Sequence, residues 1–106
     1  MLWAKIKLQF EGEHCWPGAK GQVSFLEHTH RHMFYVIVWI EQKHNDRDIE
    51  YIGLKRALLS RWFGVQYLGH KSCEMIAEDI KKSLASFKRK IKVEVSEDNE
   101  NGVLLE

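Results

Sequence analysis

Two of the chain's six histidines, His30 and His32, stand two apart where an apolar run begins, His30-Arg31-His32-Met33-Phe34-Tyr35-Val36. Side chains of an extended strand alternate between faces, so both imidazoles point the same way, about 7 Å apart along the backbone. The same parity continues through Phe34, Val36, Val38 and Ile40, a face suited to burial. Two imidazoles at the rim of an apolar sheet face make a metal clamp that lacks a third ligand. Short histidine repeats also decorate ordinary surfaces, so the case rests on the rest of the chain.

A third imidazole comes from the first strand. Trp3–Phe10 alternates, with Ala4, Ile6, Leu8 and Phe10 on one face and Trp3, Lys5, Lys7 and Gln9 on the other. If the strand stays extended, Gly12 and His14 join the apolar face. His14 is then the candidate third ligand; the alternative is a loop histidine beyond the strand's end.

The remaining elements must position these three. Cys15–Phe25 holds Pro17, Gly18 and Gly21 and reads as a loop with a short strand at Gln22–Phe25. Glu27–Glu41 is the long second strand, and the polar, turn-rich Lys43–Asp48 either closes the hairpin or starts the crossover to a helix. Ile49–Phe63 is helical, with Tyr51, Leu54, Leu58 and Trp62 on one stripe and Gly64 as its stop. Val65–Lys71 is a link. Ser72 caps a second helix, which has Glu74 in its first turn and buries Ile76, Ile80, Leu84 and Phe87. Ile91, Val93 and Val95 alternate with Lys92, Glu94 and Ser96 in a third strand, and Asn101-Gly102 signals a hairpin turn before Val103–Leu105.

The order ββααββ predicts one α+β domain over residues 1–106, a four-stranded antiparallel sheet with two helices on one face. The other face carries Trp3, Tyr35, Ile37 and Trp39, too apolar to leave in water, so the chain is expected to oligomerise.

Composition narrows the function classes. At 106 residues with 44% apolar and 29% charged content, the chain suits one globular domain. A net charge of +1 leaves no footprint for nucleic acid, and Lys88-Arg89-Lys90 suits the end of a helix. No apolar run approaches a membrane span, and no signal peptide is evident. Cys15 and Cys73 form no metal or redox pair and read as small packing residues in a reducing cytoplasm.

The arrangement resembles the 6-pyruvoyltetrahydropterin synthase family, including the 6-carboxytetrahydropterin synthases of queuosine biosynthesis, over nearly the whole chain. The family's F-x-A-x-H corresponds to Phe10-Glu11-Gly12-Glu13-His14, and its H-G-H-x-Y to His30-Arg31-His32-Met33-Phe34. Its D-F-x-x-L-K corresponds to Glu50-Tyr51-Ile52-Gly53-Leu54-Lys55, and its P-T-x-E-N-x-A to Lys71-Ser72-Cys73-Glu74-Met75-Ile76-Ala77. Its closing V-x-V-x-E-T corresponds to Val93-Glu94-Val95-Ser96-Glu97-Asp98. The resemblance implies the tunnelling fold, a Zn2+ ion on His14, His30 and His32, and Glu97 gripping the guanidine-like edge of a pterin. It further implies a homotrimer or homohexamer with the active site at a subunit boundary.

Three departures bear on activity. Leu26 stands where the family's catalytic cysteine lies, and Glu27-His28-Thr29-His30-Arg31-His32 is similar to a subgroup in which a glutamate replaces that cysteine. Arg31 replaces the glycine of H-G-H. The relay histidine's L-D-H has become Leu68-Gly69-His70, with no aspartate. The resemblance then implies a zinc-dependent carbon–oxygen or carbon–carbon lyase acting on the side chain of 7,8-dihydroneopterin or its triphosphate, in folate or queuosine biosynthesis. Glu27 would be the base and His70 the partner that returns the proton. The alternative is a catalytically degenerate relative that keeps the metal or the pterin.

Overall fold

A computed structural model describes residues 1–106. Its spine is a pair of thirteen-residue strands, β1 (Leu2–His14) and β2 (His30–Gln42). They pair antiparallel without a break, from Leu2 opposite Gln42 to His14 opposite His30. β3 (Gln66–Gly69) lies beside β1, while β4 (Ile91–Glu97) and β5 (Asn101–Leu105) extend the sheet beyond β2. The strand order is β3-β1-β2-β4-β5.

The sheet corrects the expected four antiparallel strands to five in a mixed sheet. Gln66–Gly69, assigned above to a link, runs parallel to β1 at Gly12–His14. Four residues are too few to show a period, and only Leu68 among them is buried. There are two α-helices, α1 (Tyr51–Arg61) and α2 (Cys73–Ser83), and two 3-10 segments, Gly21–Glu27 between β1 and β2 and Ala85–Phe87 after α2. The expected strand at Gln22–Phe25 is therefore a 3-10 segment, and β2 begins at His30 rather than Glu27.

Local chemistry sets the helix ends. Glu50 caps α1, its carboxylate accepting from the backbone N–H of Ile52 and Gly53, which moves the start past Ile49. Ser72 caps α2 as expected, accepting from the N–H of Met75. α2 stops at Ser83, short of Phe87, and Lys88 closes the following 3-10 turn at φ 54°.

The last hairpin turns earlier than Asn101-Gly102 suggested. Asp98 and Asn99 take the left-handed conformation, at φ 54° and 60°, and Asn101 already pairs with Glu97. Gly102 serves a close approach instead: a Cβ there would stand 2.0 Å from the carbonyl oxygen of Val95.

One core holds this together. Ala4, Ile6, Leu8 and Phe10 of β1 meet Phe34, Val36, Val38 and Ile40 of β2, and β4 adds Ile91, Val93 and Val95. α2 covers them with Ile76, Ala77 and Ile80, all fully buried. α1 contributes Leu58 from its expected stripe, flanked by half-buried Leu54 and Trp62; Phe10 stacks on Trp62 at 4.8 Å, whereas Tyr51 is exposed. The sheet's other face leaves Trp3, Tyr35, Ile37 and Trp39 half-buried, with the Lys92 ammonium 4.6 Å over the Trp3 ring. No helix is long and apolar enough to cross a membrane.

Far from the histidines, one ion pair ties the β2 exit to β4. Arg89 donates to both oxygens of Asp48, at 2.5 and 3.2 Å, and the Lys43 N–H donates to Asp48 at 2.6 Å. The Arg89 hydrogen bond, then that of Lys43, holds the Asp48 carboxyl down at about 2 against an ordinary 3.8. A lowered folded-state pKa contributes stability that is present above the ordinary value and lost as pH falls toward the folded one. We expect Asp48→Asn to be less stable than the natural protein at neutral pH, with the gap closing between about pH 4 and pH 2. Urea unfolding midpoints across that range check this, and a gap independent of pH contradicts it.

Candidate metal centre

The β1–β2 register brings the three histidines together. His14 ends β1, His30 opens β2 directly opposite it, and His32 lies opposite Gly12. The ring centroids are 4.6 Å apart for His14 and His30, 5.2 Å for His14 and His32, and 4.9 Å for His30 and His32. One ligand atom from each lies within 4.8 Å of the others. Phe34 forms the floor, edge-on to His14 at 5.3 Å and to His32 at 5.8 Å. Gly12 leaves the space for that floor, since a Cβ there would approach the Phe34 ring to 2.9 Å and Leu68 to 2.8 Å.

Each imidazole is held by its Nδ1. His14 Nδ1 lies 2.8 Å from the Lys71 carbonyl oxygen, and His30 Nδ1 lies 2.8 Å from that of His28. A carbonyl only accepts, so both Nδ1 atoms donate, which leaves Nε2 as the nitrogen that would face a metal. His32 Nδ1 sits 2.7 Å from Asp98 Oδ2, and Asp98 is fixed in turn by the Met33 N–H at 3.0 Å. The His32 contact, then Met33, lowers the Asp98 pKa, so this carboxylate stays ionised and orients the ring.

Nε2 of His14 and of His32 are buried with no hydrogen-bond partner. Unpaired buried polar atoms are costly. Three histidines whose ligand atoms lie within 4.8 Å of one another, each ring braced through Nδ1, could hold a nitrogen-bound metal with its outer supports in place. The residues fit zinc.

Glu97 reaches the same point from β4. Its oxygens lie 3.5 Å from His14 Nε2 and 3.3 Å from His32 Nε2. Cys73, at the head of α2, stands with Sγ 3.7 Å from Glu97 Oε1. Burial, then the charge of Glu97, pushes the Cys73 thiol up to about 12, so it stays protonated and is no nucleophile. Beside the cluster opens a cavity of about 500 Å³, lined by His14, His30, Glu97, Cys73, Ser72, Glu74 and His70 among others.

The proton-handling candidates are less closely gathered. His70 is exposed and lines the cavity. Glu27, also exposed, ends the 3-10 segment outside that lining, whereas its neighbour Leu26 is part of it. Arg31 points to the sheet's other face and pairs with Glu11 of the same chain. Sequence reasoning missed Asp98 as a support: strand parity turns it away from Glu97, and only the left-handed turn brings it to His32. The chain matches no known protein-family model and no curated protein.

Two outcomes follow from this geometry. Substituting both His30 and His32 by Ala should abolish zinc content in protein purified without chelators; unchanged content would remove the site. Asp98→Ala should keep the site but weaken zinc binding about 10- to 100-fold in a chelator competition, as loss of a histidine's outer partner does.

Proposed function

We propose that the chain is a zinc-dependent lyase acting on the side chain of 7,8-dihydroneopterin or its triphosphate. The observation that carries this reading is the cluster of three braced imidazoles, of which His14 and His30 line a cavity that Glu97 also lines. When bound, zinc on His14, His30 and His32 would supply Lewis acidity toward a substrate hydroxyl.

The chain's own groups would do the rest. The Glu97 carboxylate offers two acceptor oxygens, matched to the adjacent amide N–H and amino group of a pterin edge. Phe34 forms an apolar floor beneath His14 and His32. His70, facing the same cavity, is within the proposal the group that returns a proton. Glu27 is the proposed base, and it must swing inward from the exposed end of its 3-10 segment to act.

That position favours a second reading: a protein that retains metal and pterin but does not turn the substrate over. Leu26 faces the cavity where a base is needed, and Gly69 stands in place of the aspartate that would orient His70. Incubation with zinc and each pterin, followed by mass spectrometry, separates the two. Zinc-dependent loss of side-chain mass supports the lyase, and Glu27→Gln should then lower kcat about 10²- to 10⁴-fold with zinc retained. Tight binding of a pterin with no product supports the second reading.

The proposal includes a homotrimer or homohexamer. β3 pairs with β1 only at Gly12–His14, leaving the edge from Leu2 to Glu11 without a strand, and the half-buried aromatic face lies alongside. Light scattering should give three or six chains; a stable monomer at micromolar concentration would contradict the assembly.

A further inference from the structure

We infer that Glu97 is itself a metal ligand in the substrate-free protein, completing a centre of three histidines and one carboxylate. The inference rests on the metal reading above. Its basis is the way Glu97 approaches the imidazoles. A carboxylate that simply accepts from a histidine N–H lies along the N–H direction, at about 2.7–2.9 Å. Glu97 does neither. Its oxygens stand 3.5 and 3.3 Å from Nε2 of His14 and His32, yet both nitrogens remain without a hydrogen-bond partner. The contact is close but off axis.

Donors that share a metal are arranged in this way, because each points at the ion rather than at its neighbour. Tetrahedral zinc with ligands at about 2.0–2.2 Å places adjacent donors about 3.3–3.5 Å apart. The two Glu97 spacings fall in that interval. Nor are the rings free to turn their Nε2 atoms toward the carboxylate, since Lys71, His28 and Asp98 hold all three Nδ1 atoms. Cys73, 3.7 Å from Oε1, steadies the carboxylate from the α2 side.

A consequence is that the fourth position is filled until a ligand displaces Glu97. The displaced carboxylate is then free to accept hydrogen bonds from whatever entered. Metal release of Glu97 and capture of a nitrogen heterocycle become one exchange.

Co2+ serves as a spectroscopic probe of this position, with azide as a small competing ligand. The natural protein loaded with Co2+ should show a visible absorption band little changed by azide. Glu97→Gln and Glu97→Ala, with folding checked by circular dichroism, should bind Co2+ at least about tenfold more weakly, since loss of even an outer partner costs that much. Their bands should shift on addition of azide. An azide-sensitive band in the natural protein, or unchanged Co2+ affinity in both variants, overturns the inference while leaving the three-histidine centre intact. Failure of the natural protein to bind Co2+ or Zn2+ removes the centre and the inference together.

Discussion

Everything at the histidine cluster depends on the register between β1 and β2. A one-residue slip in an antiparallel pair sends every side chain of one strand to the opposite face. Here it would carry His14 away from His30 and His32. The histidines do not set that register; the apolar pairs below them do. Ala4 faces Ile40, Ile6 faces Val38, Leu8 faces Val36 and Phe10 faces Phe34, all buried. Burying one such side chain is worth about 1.5–3 kcal/mol, so exposing a strand's whole set far outweighs any preference of three imidazoles. The ladder ends in Gly12 opposite His32, where the missing side chain leaves the Phe34 ring its place beneath the cluster.

Two adjacent carboxylates then take opposite parts. Glu97 keeps the parity of Ile91, Val93 and Val95 and meets the imidazoles at Nε2. Asp98, one residue on, would face away in an extended strand. Its left-handed backbone at φ 54° turns it to the Nδ1 side of His32, and its own N–H bonds the Met33 carbonyl at 2.7 Å. Asp98 fixes which nitrogen carries the proton, and that choice exposes the lone pair which Glu97 approaches. The positive φ costs little for aspartate, whose short polar side chain bonds locally.

Strand parity in the sequence was enough to put His14, His30, His32 and Glu97 on one face, because alternation reports orientation directly. Two kinds of feature escaped it. Gln66–Gly69 becomes a strand only because β1 offers it an edge, and a four-residue segment carries no period of its own. The hairpin at Asp98–Glu100 lacks glycine, and the Asn101-Gly102 pair resembles a turn although Gly102 answers a backbone contact with Val95. Parity likewise points Asp98 the wrong way, since it reaches the site by leaving strand geometry. The helices followed their stripes in the middle, at Leu58, Ile76 and Ile80, and departed at the ends, where caps rather than periodicity decide.

The two halves of the proposed chemistry differ in how firmly the fold holds them. The imidazoles and Glu97 sit at strand ends continuous with the core, so their positions inherit the rigidity of the ladder. Glu27 sits on Gly21–Glu27, a 3-10 segment that buries none of its residues and is tied to the strand side by the Trp16 N–H to the Leu26 carbonyl. His70 follows the left-handed Gly69, beyond the short β3. Segments with few buried apolar contacts open at low free energy compared with core strands. In the proposed chemistry the metal-binding side chains all lie on the sheet, whereas proton transfer needs an additional ordering of two lightly held segments. Within the proposed chemistry, ligand binding and turnover are then separable at the side chains of Glu27 and His70, whereas the neighbouring His28 and Lys71 carbonyls belong to the support of the imidazoles.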